Sequence, residues 1–435
     1  MNPIKVGLLG VGVVGSGTFN VLKRNQEEIR GRAGRGIEIV MVAARDVARA
    51  KAIVGDDVDV VNDPLLVVNH PDIEIVVEVI GGCTVAKDLV LKAIANGKHV
   101  ATANKALLAE HGGEIFAAAR ERSVAVAFEG AVAVSIPIIK ALREGLSGNR
   151  IEWVAGIING TTNFILSEMR DKGLAFDVVL KEAQRLGYAE SDPTFDIEGI
   201  DAAHKATLLA AIAFGIPVQF DKAHVEGITR LDQADIANAE RLGYRIKLLG
   251  IAKRTDAGIE LRVHPALVPA RRLIANVEGS MNAVMVKSDA AGVTMYYGAG
   301  AGSEQTASAV IADLIDITRL ATAQHEHRVP YLAFQPHAMA QTPILPMAEI
   351  RTGYYLRIQV RDQPGVLADI TRILAGHGIS IDGMQQKAPA ERERTEIIML
   401  THQTREKNIL AAIADMEALS TVPAPVTMLR VEELA

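Results

Sequence analysis

The 435-residue chain predicts an α/β fold in three parts, and three patterns predict it. Over residues 1–135, short apolar runs alternate with helical segments, which is the signature of βαβ units and a parallel sheet. Between 136 and 302 the longer runs IEWVAGII, YRIKLLGIAKRT and GIELRVHPALV stand among helices, which makes an α+β domain with a mixed sheet. From about 351 to 435 the order is βαββαβ: YYLRIQVRD, a helix over Val366–Ala375, HGISIDGMQQ, EIIMLTH, a helix near Asn408–Ala418, and TMLRVEEL. A helix over Glu304–Thr322 should return to the first domain, so residues 303–330 complete it, and the proline-punctuated stretch 331–350 reads as a surface linker. With 49% hydrophobic and 23% charged residues, the chain can fill cores for two to four domains.

The first strand, Ile4–Leu9, runs into a glycine turn. Gly10, Gly12 and Gly15 reproduce G-x-G-x-x-G, which is weak alone but specific between a strand and a helix, here placed from Thr18 onward. Glycines permit a tight turn and close backbone approach, and the helix start offers free N–H groups to a pyrophosphate. Gly10, Gly12, Val13, Val14 and Gly15 are therefore assigned to a dinucleotide in a Rossmann domain. The second strand, Ile37–Val42, is followed by Ala43, Ala44 and Arg45, where an NAD enzyme usually places an acid for the ribose 2′-OH. Arg45 suits a 2′-phosphate and favours NADP; Asp46 next to it leaves NAD open. Strands at Ile73–Ile80, His99–Ala101 and Val124–Phe128 follow, with helices at Ala86–Asn96 and Leu107–Arg122 between them. Loops at the carboxyl ends of parallel strands carry ligands, and Gly81-Gly82 and Thr102-Ala103-Asn104-Lys105 lie there. A lone lysine at such a place is more often solvated.

Glu129–Ile139, EGAVAVSIPII, reads as a crossover packed in the core. In NGTTN, Asn159–Asn163, a strand turns into a helix, and Thr161 and Thr162 read as caps. The densest cluster of charge beside an apolar helix is GYAESDPTFDIEGIDAAHK, Gly187–Lys205. Pro193 and Gly199 break it into a loop that carries Glu190, Asp192 and Asp196. From Ile200 a helix runs to Gly215, with Asp201 and Lys205 four residues apart on one face. Such a pair is usually a weak surface ion pair. The turns after Lys205 are apolar all round, however, and a buried lysine needs a carboxylate partner or a depressed pKa, which makes it a credible proton donor. Gly298–Gly302 forms a second glycine loop ahead of the returning helix and should bring Gly302 against the cofactor.

A net charge of −6 argues for a small-molecule partner and against nucleic acid. Cys83, the single cysteine, excludes an intramolecular disulfide, fits a reducing cytoplasm and reads as a small buried hydrophobe. The longest apolar run, Leu208–Val218, is too short for a bilayer, so no membrane is expected. His325 and His327 lack metal-ligand spacing and read as surface residues.

GYAESDPTFDIEGIDAAHK, TANKALLA, GIINGTTNFIL and GAGAGSEQTASAV strongly resemble the homoserine dehydrogenases, and with the glycine turn they occur in the family's order over residues 1–330. The resemblance implies interconversion of homoserine and aspartate 4-semialdehyde with NADP or NAD. It places Lys105 between nicotinamide and substrate, adds Ala103 to the cofactor-binding residues, and assigns Gly160, Thr161, Tyr188 and Glu190 to the amino-acid substrate. Lys205 becomes the proton donor and acceptor, Asp201 its anchor, Lys105 a residue that shares the role, and Asp196 an orienting carboxylate. A monovalent cation would be held by Glu129 and the carbonyls of Val132, Val134 and Ile136, although valine and serine replace a usual glycine pair at Val134 and Ser135, and GGCT lacks the family's proline. D-x-P-G-V-L at the last domain's first turn resembles the ACT regulatory fold, which implies threonine as effector near Asp362, Gly365, Val366 and Ile379. A homodimer or homotetramer is also implied. Two alternatives stand beside this reading. A non-catalytic NADP-binding amino-acid sensor would leave the Glu190–Lys205 cluster without a use. Another ACT-bearing dehydrogenase would need a catalytic histidine in matching surroundings.

Overall fold

The computed structural model describes residues 2–321, 328–386 and 394–434; His325 and His327 lie outside them. The first sheet contains β1 (Ile4–Leu9), β2 (Ile37–Ala43), β3 (Asp59–Val61), β4 (Ile75–Glu78), β5 (His99–Thr102) and β6 (Val126–Ala127). Its order is β3-β2-β1-β4-β5-β6, parallel throughout. Chain direction switches sides between β1 and β4, and that switch point opens a crevice at the carboxyl ends of the strands. Helices cover both faces, which is why these strands read as apolar runs: Ile4, Val6, Leu8, Ile75, Val76 and Val77 are fully buried.

Six helices position the site: α1 (Val13–Arg24), α2 (Lys105–Glu121), α3 (Gly160–Lys172), α4 (Ile200–Phe214), α5 (Ser303–Leu320) and α6 (Val366–Gly376). α1 begins at Val13, not at Thr18. Gly15 and Gly17 lie inside it because they are contact points rather than breakers. A Cβ on Gly15 would fall 2.0 Å from the Gly10 carbonyl oxygen, and one on Gly17 would fall 2.4 Å from Ser303 Oγ. α5 returns from the second half of the chain to lie on α1. Ser303 Oγ donates to the Val13 carbonyl at 2.6 Å, Arg24 grips Glu304 at 2.9 and 3.1 Å, and Val310 and Leu314 join the core of Phe19 and Leu22. β3 was not expected from the sequence, since its three residues and the acidic turn before it carry too little pattern.

The second sheet is built from β7 (Ile151–Ile157), β8 (His224–Val225), β9 (Tyr244–Arg254), β10 (Ile259–Pro269), β11 (Met281–Ser288), β12 (Gly292–Ala299), β13 (Arg351–Arg361), β14 (Ile381–Gln386), β15 (Arg394–Thr401), β16 (Thr404–Arg405) and β17 (Thr427–Val431). Its path is β12-β11-β7-β9-β10-β17-β13-β15-β14, with β16 on β13 and β8 on β10. α4 crosses behind β9 and β10, and every residue from Asp201 to Phe214 is buried, as an all-round apolar helix should be. Residues 331–350 lie along this surface: Tyr331 stacks on Phe116 with centroids 5.5 Å apart, and Ile344 bridges to Ile259.

The C-terminal βαββαβ unit is not a separate sheet. β17 pairs in parallel with β10 through Ala266↔Arg430 and Leu267↔Val431 only, so side chains carry most of the junction. Arg430, 2% exposed, donates to both oxygens of Glu226 at 2.8 Å and, through Nε, to buried Glu406 at 2.8 Å. Arg262, equally buried, pairs with Glu260 at 3.0 Å and with Glu432. Arg357 grips the fully buried Asp235 at 2.6 and 2.9 Å, and Tyr355 Oη donates to the same carboxylate at 3.1 Å. Removing one member of such a group leaves a buried charge unpaired. Arg430→Ala is therefore expected to lose about 3–5 kcal/mol of unfolding free energy in urea titration, and a loss below about 1 kcal/mol would show that this junction behaves like a surface pair.

Candidate active site

The crevice of the first sheet faces α3 and α4 of the second layer, and the charged cluster lies between them. Lys105 is the first residue of α2, placed there because Asn104 caps the helix through the Leu107 N–H at 3.1 Å. Asp201 and Lys205 stand one turn apart on α4. Asp201, 3% exposed, bridges two ammonium groups: Oδ1 is 3.1 Å from Lys105 Nζ and Oδ2 is 2.7 Å from Lys205 Nζ. Lys205 Nζ also donates to the Ile158 carbonyl at 2.7 Å.

The electrostatics separate the two lysines. Burial pushes the Lys205 ammonium below the usual lysine value, and Asp201 restores only part of that loss. Lys105 loses less to burial than it gains from Asp201, Asp196 and Glu190, so it is raised. Burial would raise the Asp201 carboxyl too, but Lys205 and Lys105 together hold it below the ordinary range. Asp196 goes the other way, raised by burial and then by Asp201.

Asn159, absent from the expected site, holds these carboxylates together. Its Nδ2 donates to Asp196 at 2.7 Å and to Asp201 at 2.9 Å, while its Oδ1 accepts the Thr162 N–H at 2.9 Å and so caps α3. The cap is therefore Asn159, not Thr161 or Thr162. Thr161 Oγ1 lies 2.7 Å from the Tyr188 carbonyl and 3.1 Å from Asp196. Phe195 was also missed: its ring sits 5.8 Å from Lys105 Nζ and 5.4 Å from the His204 ring. Asparagine before a helix was legible as a cap; its second task depends on chain 37 and 42 residues away. Tyr188 and Glu190 remain exposed at the rim, and Tyr188 packs on Phe164 at 4.7 Å.

On the cofactor side, Gly10 adopts φ +98, and a Cβ on Gly12 would meet nothing within 4 Å, so the turn has an open face. Exposed Arg45 follows β2, and Asp46 is engaged in capping the next helix through the Arg49 N–H at 3.0 Å. Beneath the Gly81-Gly82 loop, fully buried Glu78 accepts from the Ile80 and Gly81 N–H groups at 3.0 and 3.2 Å and from Thr102 Oγ1 at 2.6 Å. Asn104 Nδ2 donates to the Gly82 carbonyl at 2.7 Å, which leaves Ala103 between the two loops. Cys83 is only partly buried, because it lies on this loop rather than in a core. Gly302 begins α5 at φ +134, directly beside the α1 start.

Glu129 is 2% exposed and both its oxygens accept N–H groups, from Ile139 and Lys140 at 2.9 Å each. Burial pushes its carboxyl up to about 7. Its own N–H donates to Asp313, raised well above the usual range by burial and by Glu129. Val132 and Ile136 are buried and Val134 is half-buried, and the Ile136 carbonyl already accepts the Ile138 N–H at 2.7 Å. In the C-terminal unit, Gly365 turns at φ +96 ahead of α6, with Asp362 exposed, Val366 buried and Ile379 donating to the Leu374 carbonyl at 2.9 Å.

Three family models match in succession: the NAD-binding domain of homoserine dehydrogenase over residues 10–129, homoserine dehydrogenase over 137–315, and the ACT domain over 354–421. The chain is 60% identical over 435 residues to a homoserine dehydrogenase of Pseudomonas aeruginosa, with 100% of both chains covered. The crystal structure of a homoserine dehydrogenase from Thiobacillus denitrificans superposes with a TM-score of 0.96 at 64% identity, covering 100% of this chain and 99% of that one. A hyperthermophilic archaeal homoserine dehydrogenase mutant in complex with NADPH aligns at 25% identity and a TM-score of 0.62, over 73% of this chain and 98% of that one.

The role of Asn159 as a donor can be isolated, because aspartate also caps helices. Asn159→Asp sets a third carboxyl beside Asp196 and Asp201, whose repulsion raises the new group's pKa. The penalty is absent below the unfolded pKa, grows as pH rises from there toward the folded one, and is complete above it. Urea titration should show a loss of about 1–3 kcal/mol relative to the parent at pH 8 and a smaller one at pH 5. An equal loss at both values would mean that the amide does not face the carboxylates.

Proposed function

The chain belongs to the homoserine dehydrogenase family, and from the Asp201 carboxylate shared by Lys105 and Lys205 we propose how its residues divide the work of that oxidoreductase. A nicotinamide held by the Gly10, Gly12 and Gly15 turn would supply the hydride chemistry at the alcohol carbon of homoserine. Everything else falls to the protein: holding the amino acid, keeping water out and moving the hydroxyl proton.

Lys205 is the group that moves the proton. Burial brings its ammonium toward the range in which it can release and regain one, and two groups whose environments push their pKa values apart mark an acid/base division. In the oxidising direction, neutral Lys205 Nζ accepts the hydroxyl proton as the carbonyl of aspartate 4-semialdehyde forms; in the reducing direction its ammonium returns it. Lys105 stays charged, steadies the substrate oxygen and reaches toward the nicotinamide side. Asp201 fixes both nitrogens, and Asp196 with Asn159 fixes Asp201. Exposed Glu190 pairs with the substrate ammonium, while Gly160 and Thr161 at the start of α3 and the Tyr188 ring frame its carboxylate end. The non-catalytic sensor gives no reason for a buried lysine and carboxylate facing a second lysine, and His204 is packed between Phe195 and Phe220 with its imidazolium disfavoured by burial.

Four finer readings accompany this one. NADP is the preferred cofactor because Arg45 is free to meet a 2′-phosphate while Asp46 is occupied as a cap. A monovalent cation, if it joins Glu129 and the carbonyls of Val132, Val134 and Ile136, binds the ionised carboxyl and so more weakly below about pH 7. Threonine acts near Asp362, Gly365, Val366 and Ile379, beside the sheet-edge strand β14. The chain forms a homodimer through the large sheet, where edge strand β12 leaves Val293 and Tyr297 exposed. Ratios of kcat/KM for NADPH against NADH, with and without threonine or potassium, and sedimentation of the intact enzyme decide these four.

Lys205→Ala should lose about 10²–10⁴-fold in turnover while NADPH still binds. In the parent, homoserine oxidation should rise with pH through the lowered lysine value, since the neutral amine is the acceptor. Near-normal turnover in the alanine variant would falsify the assignment. Glu190→Gln keeps shape and removes charge; KM for homoserine should rise about tenfold or more with a smaller change in kcat, as for lost ground-state binding. An unchanged KM would place the substrate ammonium elsewhere.

A further inference from the structure

Asn282, the second residue of β11, is fully buried, and neither its Oδ1 nor its Nδ2 has a hydrogen-bond partner among the described residues. A buried amide left unbonded destabilises a fold, and a leucine of similar outline would fill the same space without that penalty. What surrounds the amide gives it a use. A Cβ on Gly300 would lie 2.1 Å from Asn282 Nδ2, and one on Gly160 would lie 3.7 Å from Oδ1. The backbone at Gly300 therefore rests against both ends of the amide, since the same Cβ would lie 2.4 Å from Oδ1, and the first residue of α3 stands near its oxygen.

The far end of that loop touches the dinucleotide turn: Ser303, next after Gly302, donates to the Val13 carbonyl at 2.6 Å. β11 itself is anchored. Asn163 Nδ2 donates to the Val277 and Met281 carbonyls at 3.1 Å each, and buried Lys247 donates to Val277 at 2.6 Å and to Asn163 Oδ1 at 3.1 Å. Gly298 and Ala299 close β12 against β11, with Gly298 opposite Asn282, and Ser135 Oγ donates to the Ala299 carbonyl at 2.6 Å; the stretch left to adjust is 300–302, with glycine at both ends.

We infer that Asn282 is a positioning residue: as the dinucleotide seats against α1 and Gly302, the loop shifts so that Nδ2 donates to one of its carbonyls and Oδ1 accepts one of its N–H groups. Those two bonds satisfy the buried amide and clamp the loop against the start of α3. Cofactor binding thereby sets the place where the substrate carboxylate is received. This rests on the proposed cofactor and substrate positions.

Asn282→Leu separates this from a purely structural role. Without cofactor the variant should melt about 2–4 °C higher than the parent, since an unbonded amide has been removed. Its affinity for NADPH, measured by fluorescence titration, should fall about fivefold to tenfold, with KM for NADPH rising more than kcat falls. Asn282→Ala should show the same loss of affinity whatever its melting temperature. A lower melting temperature or failure to fold in Asn282→Leu overturns the inference, because the amide would already have been bonded. NADPH affinity within about twofold of the parent in both variants overturns it as well. The assignment of Lys205 fails on turnover, whereas this inference fails on NADPH affinity, so the two are distinguished.

Discussion

A single buried anion, Asp201, holds the site together, and with it the relation between the two halves of the molecule. Lys105 belongs to the parallel-sheet domain and Lys205 to the helix behind the mixed sheet, and each approaches a different oxygen of the same carboxylate. Alone, any of the three charges would be costly to bury; together they satisfy one another, and the Asn159 amide and the Ile158 carbonyl take up remaining hydrogen-bonding capacity. The arrangement is stable only while the domains stay in register, so catalytic geometry and domain packing are one constraint. It also makes the two lysines unlike, since Lys205 is buried deeply enough to lose charge stability and Lys105 is not.

A similar solution appears at the junction with the ACT domain. Two ladder pairs between β10 and β17 would be a weak connection. Arg262, Arg357 and Arg430 make it firm because their own guanidinium forks are buried and can bond carboxylates through two nitrogens at once. The hydrogen-bonded charges thus tie the ACT end of this sheet to β10, and α4, the helix of Asp201 and Lys205, packs on β9 and β10.

Much of this was legible in the chain. The period of apolar residues gave the βαβ alternation, the glycine turn and the all-round apolar α4, because burial on both faces leaves no polar stripe to write. The i, i+4 spacing put Asp201 and Lys205 on one face before any coordinates. The glycines at 15 and 17 misled, since a glycine that serves helix packing looks in sequence like one that ends a strand. Cys83 misled for the opposite reason: its type favours burial, and its place on the Gly81-Gly82 loop overrode that preference.

What the sequence determined by itself was therefore local: which segments fold as helix or strand, where the glycine turn follows β1, and which carboxylate and amine share a helix face. These follow from backbone sterics and from periodicity, which act over a few residues. What only the tertiary structure decided was the company those groups keep. Asn159 bonds Asp196 and Asp201, Glu78 ties two loops, Asn282 lies unbonded between Gly160 and Gly300, and Arg430 joins Glu226 to Glu406. The energies of these contacts depend on desolvation, and desolvation is set by segments tens to hundreds of residues away, closing over the group only when the whole chain has packed.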